Sequence, residues 1–363
     1  MKKPRLGYVG CGFMAQKVHI PNIISLDTCE LAAIAEVRPE LGRKVQASYR
    51  IPVLYGDHRQ LAADPSIDAV AVSGHFYGQG QIAIDLLLAG KDVFMEKPMA
   101  VSVEQAKRIL AAEKKSGHRV MVAYMKRYDA GNLAVKRHIK QFRESGEMGV
   151  VRFIRNHGFC GDWTGGLDTP FLTTDEAYPE TRPVFPDWLP AKWIQGYMGY
   201  LQQYTHNINL VRWLMDAGGD VKIQSVQLDQ KHGYFGVVVL EVAGVTTVIE
   251  SGGIAYHGWD EHTQVYFEGG WVKTEAPCLL LRNVPATVEV YRGNTPDKTL
   301  TQTFPDGGRL WSYKAEMMHF VDCVRTGKPF RSPASDTLHD VQAFEDIYRR
   351  FVAGFAPRRR AKR

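Results

Sequence analysis

The stretch Gly10-Cys11-Gly12-Phe13-Met14-Ala15 decides how the first third of the chain is interpreted. It fits the pattern G-x-G-x-x-G/A, follows the apolar run Leu6 to Val9 and precedes a helical stretch. In that context Gly10 makes the tight turn, Gly12 lets the backbone approach a pyrophosphate, and Ala15 permits close helix–strand packing. A glycine-rich turn without a ligand is the alternative. The context favours a dinucleotide site, with the helix N-terminus facing the phosphates.

Short apolar runs alternate with stretches of helical length throughout this first third. The predicted strands are Leu6 to Val9, Leu31 to Ala35, Val53 to Tyr55, Ala69 to Ser73, Val93 to Met95 and Val120 to Ala123. Helical crossovers are predicted at Pro39 to Ser48, Gly80 to Ala89 and Val103 to Ser116. Strands that alternate with helices form a parallel, doubly wound sheet. Residues 1–124 are therefore predicted to form a Rossmann domain of the α/β class.

The pattern changes after about residue 125, and a second domain is predicted over residues 125–355. Helices are expected at Asp129 to Phe142, Tyr200 to Met215, Trp311 to Thr326 and Thr337 to Val352, and an aromatic loop runs from Gly158 to Trp193. Strands are expected near Val150 to Asn156, Val221 to Leu228, Val237 to Val242, Thr246 to Gly252, Thr263 to Phe267, Trp271 to Thr274 and Thr287 to Tyr291. Serial strands with short connections predict an α+β domain with an open, largely antiparallel sheet.

Composition excludes several classes of protein. The chain of 363 residues carries a net charge of +6, but five of the last six residues are basic, so the remainder is close to neutral. This distribution argues against a nucleic-acid-binding face, and residues 356–363 are predicted to be a disordered basic tail. Five widely spaced cysteines without a C-x-x-C pair argue against a disulfide framework and a zinc site. With no long apolar run and no leader pattern, a cytoplasmic protein without membrane contact is predicted.

The second predicted strand ends at Glu36, 24 residues after Gly12. A carboxylate at this position can accept hydrogen bonds from the adenosine ribose and repels a 2′-phosphate, which favours NAD. Arg38 stands two residues later, and its guanidinium could bind a 2′-phosphate or stack on adenine. NAD is therefore the predicted cofactor, with NADP as the alternative.

The tripeptide Glu96-Lys97-Pro98 follows the fifth predicted strand, and here the chain resembles the Gfo/Idh/MocA oxidoreductase family. The resemblance also includes the glycine turn, Glu36, Ile67 to Val70, Ala89 to Val93, Val122 to Tyr128, Thr205 to Leu214 and Met318 to Pro329. It implies an antiparallel second domain, homodimers or homotetramers built on that sheet, and oxidation or reduction of a secondary alcohol. A sugar, inositol or related polyol is the substrate that the resemblance implies.

Lys97 and His206 are the predicted catalytic residues. Pro98 favours an extended conformation at Lys97, whose ammonium would lie at the carboxyl edge of the parallel sheet, where Rossmann ligands bind. A partly desolvated cleft beside oxidised nicotinamide would lower its pKa. The family resemblance places a proton-transferring histidine at His206, and imidazole titrates near neutrality.

The chain departs from the commonest family pattern around this histidine. Amides, Gln202 and Asn209, occupy the positions four residues before and three after His206, where acids are usual. Helical spacing predicts that all three side chains lie on neighbouring turns of one face. His206 is then less strongly held as a base, and Lys97 is expected to take the larger share of proton transfer. This departure resembles family branches that act on glycosides or modified sugars. Gln79 also stands where many members have histidine.

The remaining predicted contacts fall into two sets. The predicted cofactor contacts are Gly10, Gly12, Phe13, Met14, Ala15, Glu36, Arg38, Ser73, Gly74, His75, Glu96 and Lys97. The predicted substrate contacts are Lys97, Tyr124, Arg127, Asp162, Trp163, Gln202, Gln203 and His206, with Lys126, Asp168, Trp188 and Trp193 as further polar or aromatic candidates. His257 and His262 stand five residues apart in a predicted strand connection, so no metal site is predicted.

Two rival functions use the same scaffold. In redox-assisted glycoside cleavage, oxidation at C3 acidifies the neighbouring C–H, permits elimination, and the cofactor is regenerated inside the site. The amides near His206 and the long aromatic loop motivate this hypothesis. A non-catalytic sensor that binds dinucleotide and a partner protein is the other rival, and a pure binder would have no need of Lys97 and His206.

Overall fold

The computed structural model of the chain describes residues 3–164, 167, 169–179, 184–254, 258–305 and 310–354. Asp168, His257 and the predicted tail over residues 356–363 lie outside the described residues. Within the described part of the chain, no helix is both long and apolar enough to cross a membrane.

The first sheet contains six parallel strands in the order β3-β2-β1-β4-β5-β6. The strands are β1 Arg5–Val9, β2 Glu30–Ala35, β3 Val53–Tyr55, β4 Ala69–Val72, β5 Asp92–Glu96 and β6 Val120–Ala123. β4 and β6 are buried along their whole length, as expected for strands covered on both faces. The predicted Rossmann sheet is confirmed, and each predicted strand agrees to within one residue at either end.

Helices cover both faces of this sheet, and their ends follow local capping rules. They are α1 Ile20–Ile24, α2 Pro39–Tyr49, α3 His58–Ala62, α4 Phe76–Leu88 and α5 Val103–Ser116, and a π-helical turn at Ala15–His19 leads into α1. Ser102 Oγ accepts a hydrogen bond from Gln105 N at the start of α5, and Gly117, at φ +75°, ends it. α4 begins at Phe76, before the predicted Gly80, which brings its first turn to the edge of the sheet.

The strand order reverses between β1 and β4. β1 pairs with β2 on one side and with β4 on the other, so the connections after β1 and β4 leave in opposite directions. Ligands of open α/β sheets bind in the crevice at such a switch point, outside the carboxyl ends of the strands. Gly10 follows β1, Ser73 follows β4 and Lys97 follows β5, so all three lie at this edge.

The second sheet has eight strands in the order β14-β13-β12-β11-β7-β10-β9-β8. They are β7 Val151–Cys160, β8 Val221–Leu228, β9 Gly236–Val242, β10 Val245–Gly253, β11 Trp259–Phe267, β12 Gly270–Glu275, β13 Thr287–Arg292 and β14 Thr299–Thr303. Only the β7–β10 pair is parallel among these described strands, so the predicted open, largely antiparallel sheet is confirmed. β14 was not predicted because it is an exposed, threonine-rich edge strand without alternating apolar residues.

Four helices complete the described chain: α6 Ala130–Ser145, α7 Ile194–Met215, α8 Ser312–Thr326 and α9 Ala334–Ala353, with 3₁₀ turns at Met125–Tyr128 and Ala191–Trp193. α7 begins before the predicted Tyr200, and its first turn passes close to another segment. A Cβ on Gly196 would overlap the carbonyl oxygen of His232, so only glycine allows this approach. The extra turns extend α7 along the side of the cleft described below.

The C-terminal helices pack back against the first sheet. The ring of Phe320 on α8 contacts Phe94 of β5 with ring centroids 5.5 Å apart, and Met317 is buried in the same apolar cluster. Ser332 Oγ also donates to the carbonyl oxygen of Val122 in β6. The core of the first sheet is therefore completed by residues far along the chain, and the boundary at residue 124 stays a prediction.

Candidate active site

A cleft of about 900 Å³ opens at the carboxyl edge of the first sheet, between this edge, α7 and the second sheet. Thirteen of the predicted site residues line it: Gly12, Phe13, Met14, Ser73, Gly74, His75, Glu96, Lys97, Asp162, Trp163, Gln202, Gln203 and His206. Six others do not: Gly10, Ala15, Glu36, Arg38, Tyr124 and Arg127. The fold therefore joins the glycine turn, the end of β5 and the middle of α7 in one space.

Glycine is suited to positions 10 and 12 of the turn for two different physical reasons. Gly10 has φ +95°, and a Cβ there would overlap the carbonyl oxygen of Ser73, so the fold itself requires glycine. A Cβ on Gly12 would meet no atom of the described residues within 4 Å, and Gly12 lines the cleft. The space above Gly12 is therefore available to a ligand, which fits the close approach of a dinucleotide pyrophosphate.

Glu36 lies just behind the glycine turn and is almost fully buried. Its Oε2 accepts a hydrogen bond from Cys11 N at 2.7 Å, which links the end of β2 to the turn. Arg38 Nε donates to Oε1 at 2.8 Å and balances the charge of the carboxylate. Both residues lie at the position expected for the adenosine ribose. Because a carboxylate favours NAD and a guanidinium can bind the 2′-phosphate of NADP, the pair is compatible with either cofactor.

Lys97 projects from the end of β5 into the cleft, and its peptide bond to Pro98 is cis. Its Nζ donates a hydrogen bond to the carbonyl oxygen of Gln202 on α7 at 2.8 Å. Burial lowers the pKa of Lys97 to about 8; the carboxylate of Glu96 opposes this shift and the ammonium of Lys126 adds to it. Lys97 can therefore release and regain a proton near neutral pH.

Glu96 is held in place from the opposite side of the sheet edge. Its Oε1 pairs at 2.7 Å with Nε2 of His19, which is fully buried in the π-helical turn. Its Oε2 accepts a hydrogen bond from the backbone N–H of Lys97 at 3.1 Å. The carboxylate therefore fixes the backbone from which the Lys97 side chain leaves the strand.

His206 lies on α7 and is buried at the floor of the cleft. The edge of its ring meets Tyr124, with ring centroids 6.0 Å apart. Burial, followed by the charges of Lys97 and Lys126, holds the pKa of His206 well below its ordinary value. His206 is therefore neutral at pH 7, which is the form that can accept a proton.

Three predicted residues are turned away from the cleft. The hydroxyl of Tyr124 bonds Thr205 Oγ1 at 2.8 Å inside the core. Arg127 Nε donates to Asn209 Oδ1 at 2.8 Å, and its Nη2 donates to Asp336 at 2.6 Å. Tyr124 and Arg127 thus support the site from below, and Asn209 does not share the cleft-facing side of α7 with Gln202 and His206.

Lys126 lies between Tyr124 and Arg127 in the sequence, and its side chain does enter the cleft. There it forms a buried ion pair with Glu261 on β11. Asn207 Nδ2 also approaches Glu261 Oε1 at 3.3 Å. Glu261 Oε2 has no hydrogen-bond partner among the described residues, although it is buried in the cleft wall. Sequence reasoning missed Glu261 because it placed residues 257–262 in a strand connection, whereas β11 begins at Trp259.

The aromatic loop divides between the site and the core. Trp163 lines the cleft and packs edge-on against Phe13, with ring centroids 5.6 Å apart. Trp188 instead donates from Nε1 to Glu345, and Trp193 is buried against Phe351, both on α9. These two tryptophans therefore stabilise the fold.

His262 lies within β11, and its ring stacks on His157 with centroids 4.9 Å apart. Carboxylates of Glu250 and Asp260 pair with these rings on the face of the sheet. The described residues contain no group of His, Cys, Asp or Glu arranged to hold a metal ion.

Comparison with known proteins adds a family to this geometry. Residues 5–124 match the model of the Gfo/Idh/MocA family, described as an oxidoreductase family with an NAD-binding Rossmann fold. Inositol 2-dehydrogenase from Burkholderia cenocepacia (strain HI2424) is 26% identical over 335 residues, which covers 89% of this chain and 86% of the relative. Myo-inositol 2-dehydrogenase from Thermotoga maritima is 24% identical over 335 residues, covering 90% and 89%.

Solved structures agree with the fold. Aldose-aldose oxidoreductase from Caulobacter crescentus, in complex with glycerol, superposes with a TM-score of 0.73 at 20% identity, covering 97% of this chain and 98% of that one. A 3-ketoreductase from Actinomadura kijaniata, in complex with NADP and TDP-benzene, gives a TM-score of 0.72 at 16% identity, covering 96% and 98%. Residues 5–124 therefore match the Gfo/Idh/MocA family of NAD-binding oxidoreductases, and the similarity to inositol 2-dehydrogenases extends over 89–90% of the chain.

Proposed function

We propose that this protein transfers a hydride reversibly between a nicotinamide cofactor and a ring carbon of a sugar, glycoside or cyclitol that carries a secondary alcohol or ketone. One observation carries the proposal: Lys97 and His206 line the same cleft as Gly12, and both have a pKa lowered by burial. Proton-transfer groups beside a dinucleotide turn are what alcohol oxidation requires.

The chain supplies proton transfer and orientation, whereas bound NAD or NADP would supply the site that accepts or gives the hydride. As an ammonium, Lys97 has three N–H donors, and the carbonyl oxygen of Gln202 takes one of them. The remaining donors can hold the oxygen of the substrate. In oxidation the neutral amine of Lys97 takes the hydroxyl proton, and in reduction the ammonium returns one to the carbonyl oxygen.

His206 is proposed as the second proton-transfer group, with the smaller share. It has no carboxylate partner, and its Nδ1 is buried without a hydrogen-bond partner among the described residues. Because its pKa lies well below the ordinary value, it remains neutral while Lys97 titrates. A neutral imidazole can accept a hydrogen bond from the substrate hydroxyl and help to orient it.

The cleft offers the groups that bind a polyhydroxylated ring. Trp163 presents an aromatic surface, and Asp162, Gln202 and Gln203 present donors and acceptors for hydroxyls. Glu261 adds a buried carboxylate oxygen without a partner among the described residues. The curated relatives are named inositol 2-dehydrogenases, which supports a cyclitol or sugar as the substrate.

The decisive experiment measures reduction of NAD and of NADP by the purified chain across a panel of inositols, aldoses and glycosides. The proposal expects reduced cofactor to accumulate in step with consumption of at least one substrate. Lys97→Met should lower this activity by about 10²- to 10⁴-fold while retaining NADH binding, which separates a catalytic defect from a misfolded protein. Tight NAD binding without turnover on any member of the panel would instead support the sensor hypothesis.

The same assay distinguishes redox-assisted glycoside cleavage. In that reaction the hydride returns to the product, so a glycoside would be consumed without a matching rise in free NADH. Product analysis by mass spectrometry alongside absorbance at the NADH band reads both quantities. Equal amounts of ketone and NADH would establish simple oxidation.

We also propose that the open face of the second sheet mediates homo-oligomer formation. This face carries two aromatic pairs: Trp271 stacks on Tyr291 with ring centroids 4.2 Å apart, and Phe153 is tilted against Tyr266 with centroids 6.1 Å apart. Half-exposed aromatic side chains of this kind are enriched at interfaces. Light scattering should show a dimer or tetramer, and Tyr266→Glu should dissociate it; a monomeric unmodified chain would refute the proposal.

A further inference from the structure

A segment from the aromatic loop crosses the outer side of the glycine turn, and we call residues 169–178 the strap. Its first part is held by the π-helical turn that follows the glycines. Leu172 N donates to Gln16 Oε1 at 2.8 Å, and Gln16 Nε2 returns a hydrogen bond to the carbonyl oxygen of Leu172 at 3.0 Å. Lys17 Nζ donates to the carbonyl oxygens of Thr169 and Pro170. The strap therefore runs beside the phosphate-binding end of the site.

The middle of the strap is fastened to α2. Both carboxylate oxygens of Glu176 lie within hydrogen-bond distance of Glu40 N, and Oε2 also accepts from Leu41 N at 3.2 Å. These are free backbone N–H groups at a helix N-terminus, where negative charge is favourable. The hydrogen bonds lower the pKa of Glu176, so it stays ionised near neutral pH. Lys44 Nζ adds a bond to the carbonyl oxygen of Thr173.

The end of the strap reaches the predicted adenosine position. Arg38 Nη2 donates to the hydroxyl of Tyr178 at 2.9 Å, and the Tyr178 ring covers the Arg38 guanidinium at 3.9 Å. The Tyr178 ring also makes an edge-on contact with His75, with centroids 4.6 Å apart. Tyr178 and His75 both line the cleft, and Arg38 is bonded to Glu36. Tyr178 thus closes the cleft between the ends of β2 and β4.

Burial and contact type indicate that this closure is reversible. Tyr178 keeps 45% of its surface exposed, and Phe171 keeps 40%. The polar contacts of Lys17, Lys44 and Glu176 are exposed as well, and each such contact stabilises a conformation only weakly. Leu172 is anchored by Gln16 and packs against the core of the first sheet, whereas residues 173–178 are held mainly by such exposed contacts and can detach without disturbing the buried sheet beneath them.

From these contacts we infer that the strap is the outer wall of the dinucleotide site, with Tyr178 contacting the adenosine half of the cofactor and Glu176 fastening the strap to α2. The cofactor then leaves only when the strap detaches. The inference rests on the proposed function, because it assumes that NAD or NADP binds at the glycine turn. It assigns a cofactor contact to Tyr178 and a positioning role to Glu176, and neither residue has a local sequence motif.

The test is a displacement experiment with the full chain, which requires no turnover. Protein loaded with NADH is mixed in a stopped-flow instrument with excess NAD, and loss of the fluorescence of bound NADH gives the release rate. Glu176→Ala and Tyr178→Ala should each accelerate release by about tenfold, the effect of losing one helix-capping group or one aromatic contact. Glu104→Ala, which removes an exposed acid from the first turn of α5, is the matched control and should leave release unchanged.

Each outcome separates the inference from the proposed function. Release at the unmodified rate in both strap variants would overturn the inference alone. Tighter NADH binding by Tyr178→Ala would also overturn it, because the ring would then fill the adenosine position and compete with the cofactor. Failure of the unmodified chain to bind NADH or NADPH would overturn the proposed function. It would also overturn the inference that the strap is the outer wall of the dinucleotide site. Unchanged thermal midpoints will show that the variants fold, since both side chains lie at the surface.

Discussion

Changing Lys97 tests the proposed proton transfer, and the size of the effect follows from its pKa. With a pKa of about 8 instead of 10.5, roughly one Lys97 in eleven carries a neutral amine at pH 7. An ordinary lysine would do so about once in 3,000 molecules, so burial raises the fraction of base roughly 300-fold. Oxidation uses the neutral amine and should therefore accelerate up to about pH 8 and level off above it. Reduction uses the ammonium and should lose rate above the same pH.

The assay is kcat/KM for oxidation and for reduction of one substrate from about pH 6 to about pH 10. Lys97→Arg keeps the positive charge but cannot deprotonate in this range, because the pKa of arginine is too high. Oxidation by this variant should fall by about 10²- to 10⁴-fold, the usual contribution of one acid–base group. The rise in oxidation rate up to about pH 8 should disappear. Because His206 is neutral throughout this range, it should leave a residual rate that hardly depends on pH.

Two results would refute this reasoning. If Lys97→Arg kept the limb near pH 8, the titrating group would be another residue. If His206→Gln abolished activity while Lys97→Arg retained most of it, the histidine would be the principal base. NADH binding and the thermal midpoint of each variant serve as controls, so a lost cofactor site cannot imitate a lost base.

Three further predictions test other parts of the site and its support. Replacing the Lys126–Glu261 pair by Met and Gln removes one ammonium that lowers the pKa of Lys97. The pH at which the oxidation rate levels off should therefore rise by at most about one unit. An unchanged pH profile would contradict this. Arg127→Met breaks a largely buried ion pair with Asp336 and should lower the free energy of unfolding in urea by about 3 kcal/mol, with substrate KM unchanged in the surviving folded protein. Burial raises the pKa of Glu316 well above 4.5, so the folded state retains its proton and stability falls as pH rises from 4.5 through the folded pKa. Glu316→Gln should remove this fall, about 1.4 kcal/mol per pH unit, in unfolding curves between pH 5 and pH 8; an unchanged slope would point to another group.

Local patterns were sufficient to predict the first sheet and to place the glycine turn and Lys97 at its carboxyl edge. The strands of a parallel sheet are short, buried and bounded by glycine and helix caps, so their signal lies within a few residues. The turn at Gly10 and the strand end at Lys97 could be located for this reason, and the sheet places them together automatically. This prediction did not depend on knowing which residues far apart in the sequence contact each other.

The side of the cleft formed by the 3₁₀ turn, α7 and β11 depended on contacts between distant parts of the sequence. Lys126 and Glu261 are 135 residues apart, and neither carries a local signal that the other is near. Which of Tyr124, Lys126 and Arg127 faces the cleft is decided by the 3₁₀ turn over Met125–Tyr128, which a strand-end pattern does not reveal. Asn209 is turned towards Asp340 on α9, 131 residues later, so helical spacing from His206 alone gave the wrong neighbour.

The amides around His206 and the lysines of the cleft both favour Lys97 as the principal proton-transfer group and His206 as the lesser one. An acid beside His206 would raise the pKa of the imidazole and make it the group that titrates near neutrality. This chain has Gln202 in that position, and the charges of Lys97 and Lys126 lower the pKa of His206 further, after burial. The same burial brings the pKa of Lys97 down to about 8, into the range where alcohol oxidation needs a base. Under the proposed function, the absence of a carboxylate partner is compatible with activity, because Lys97, whose pKa is already lowered by burial, would take the proton instead.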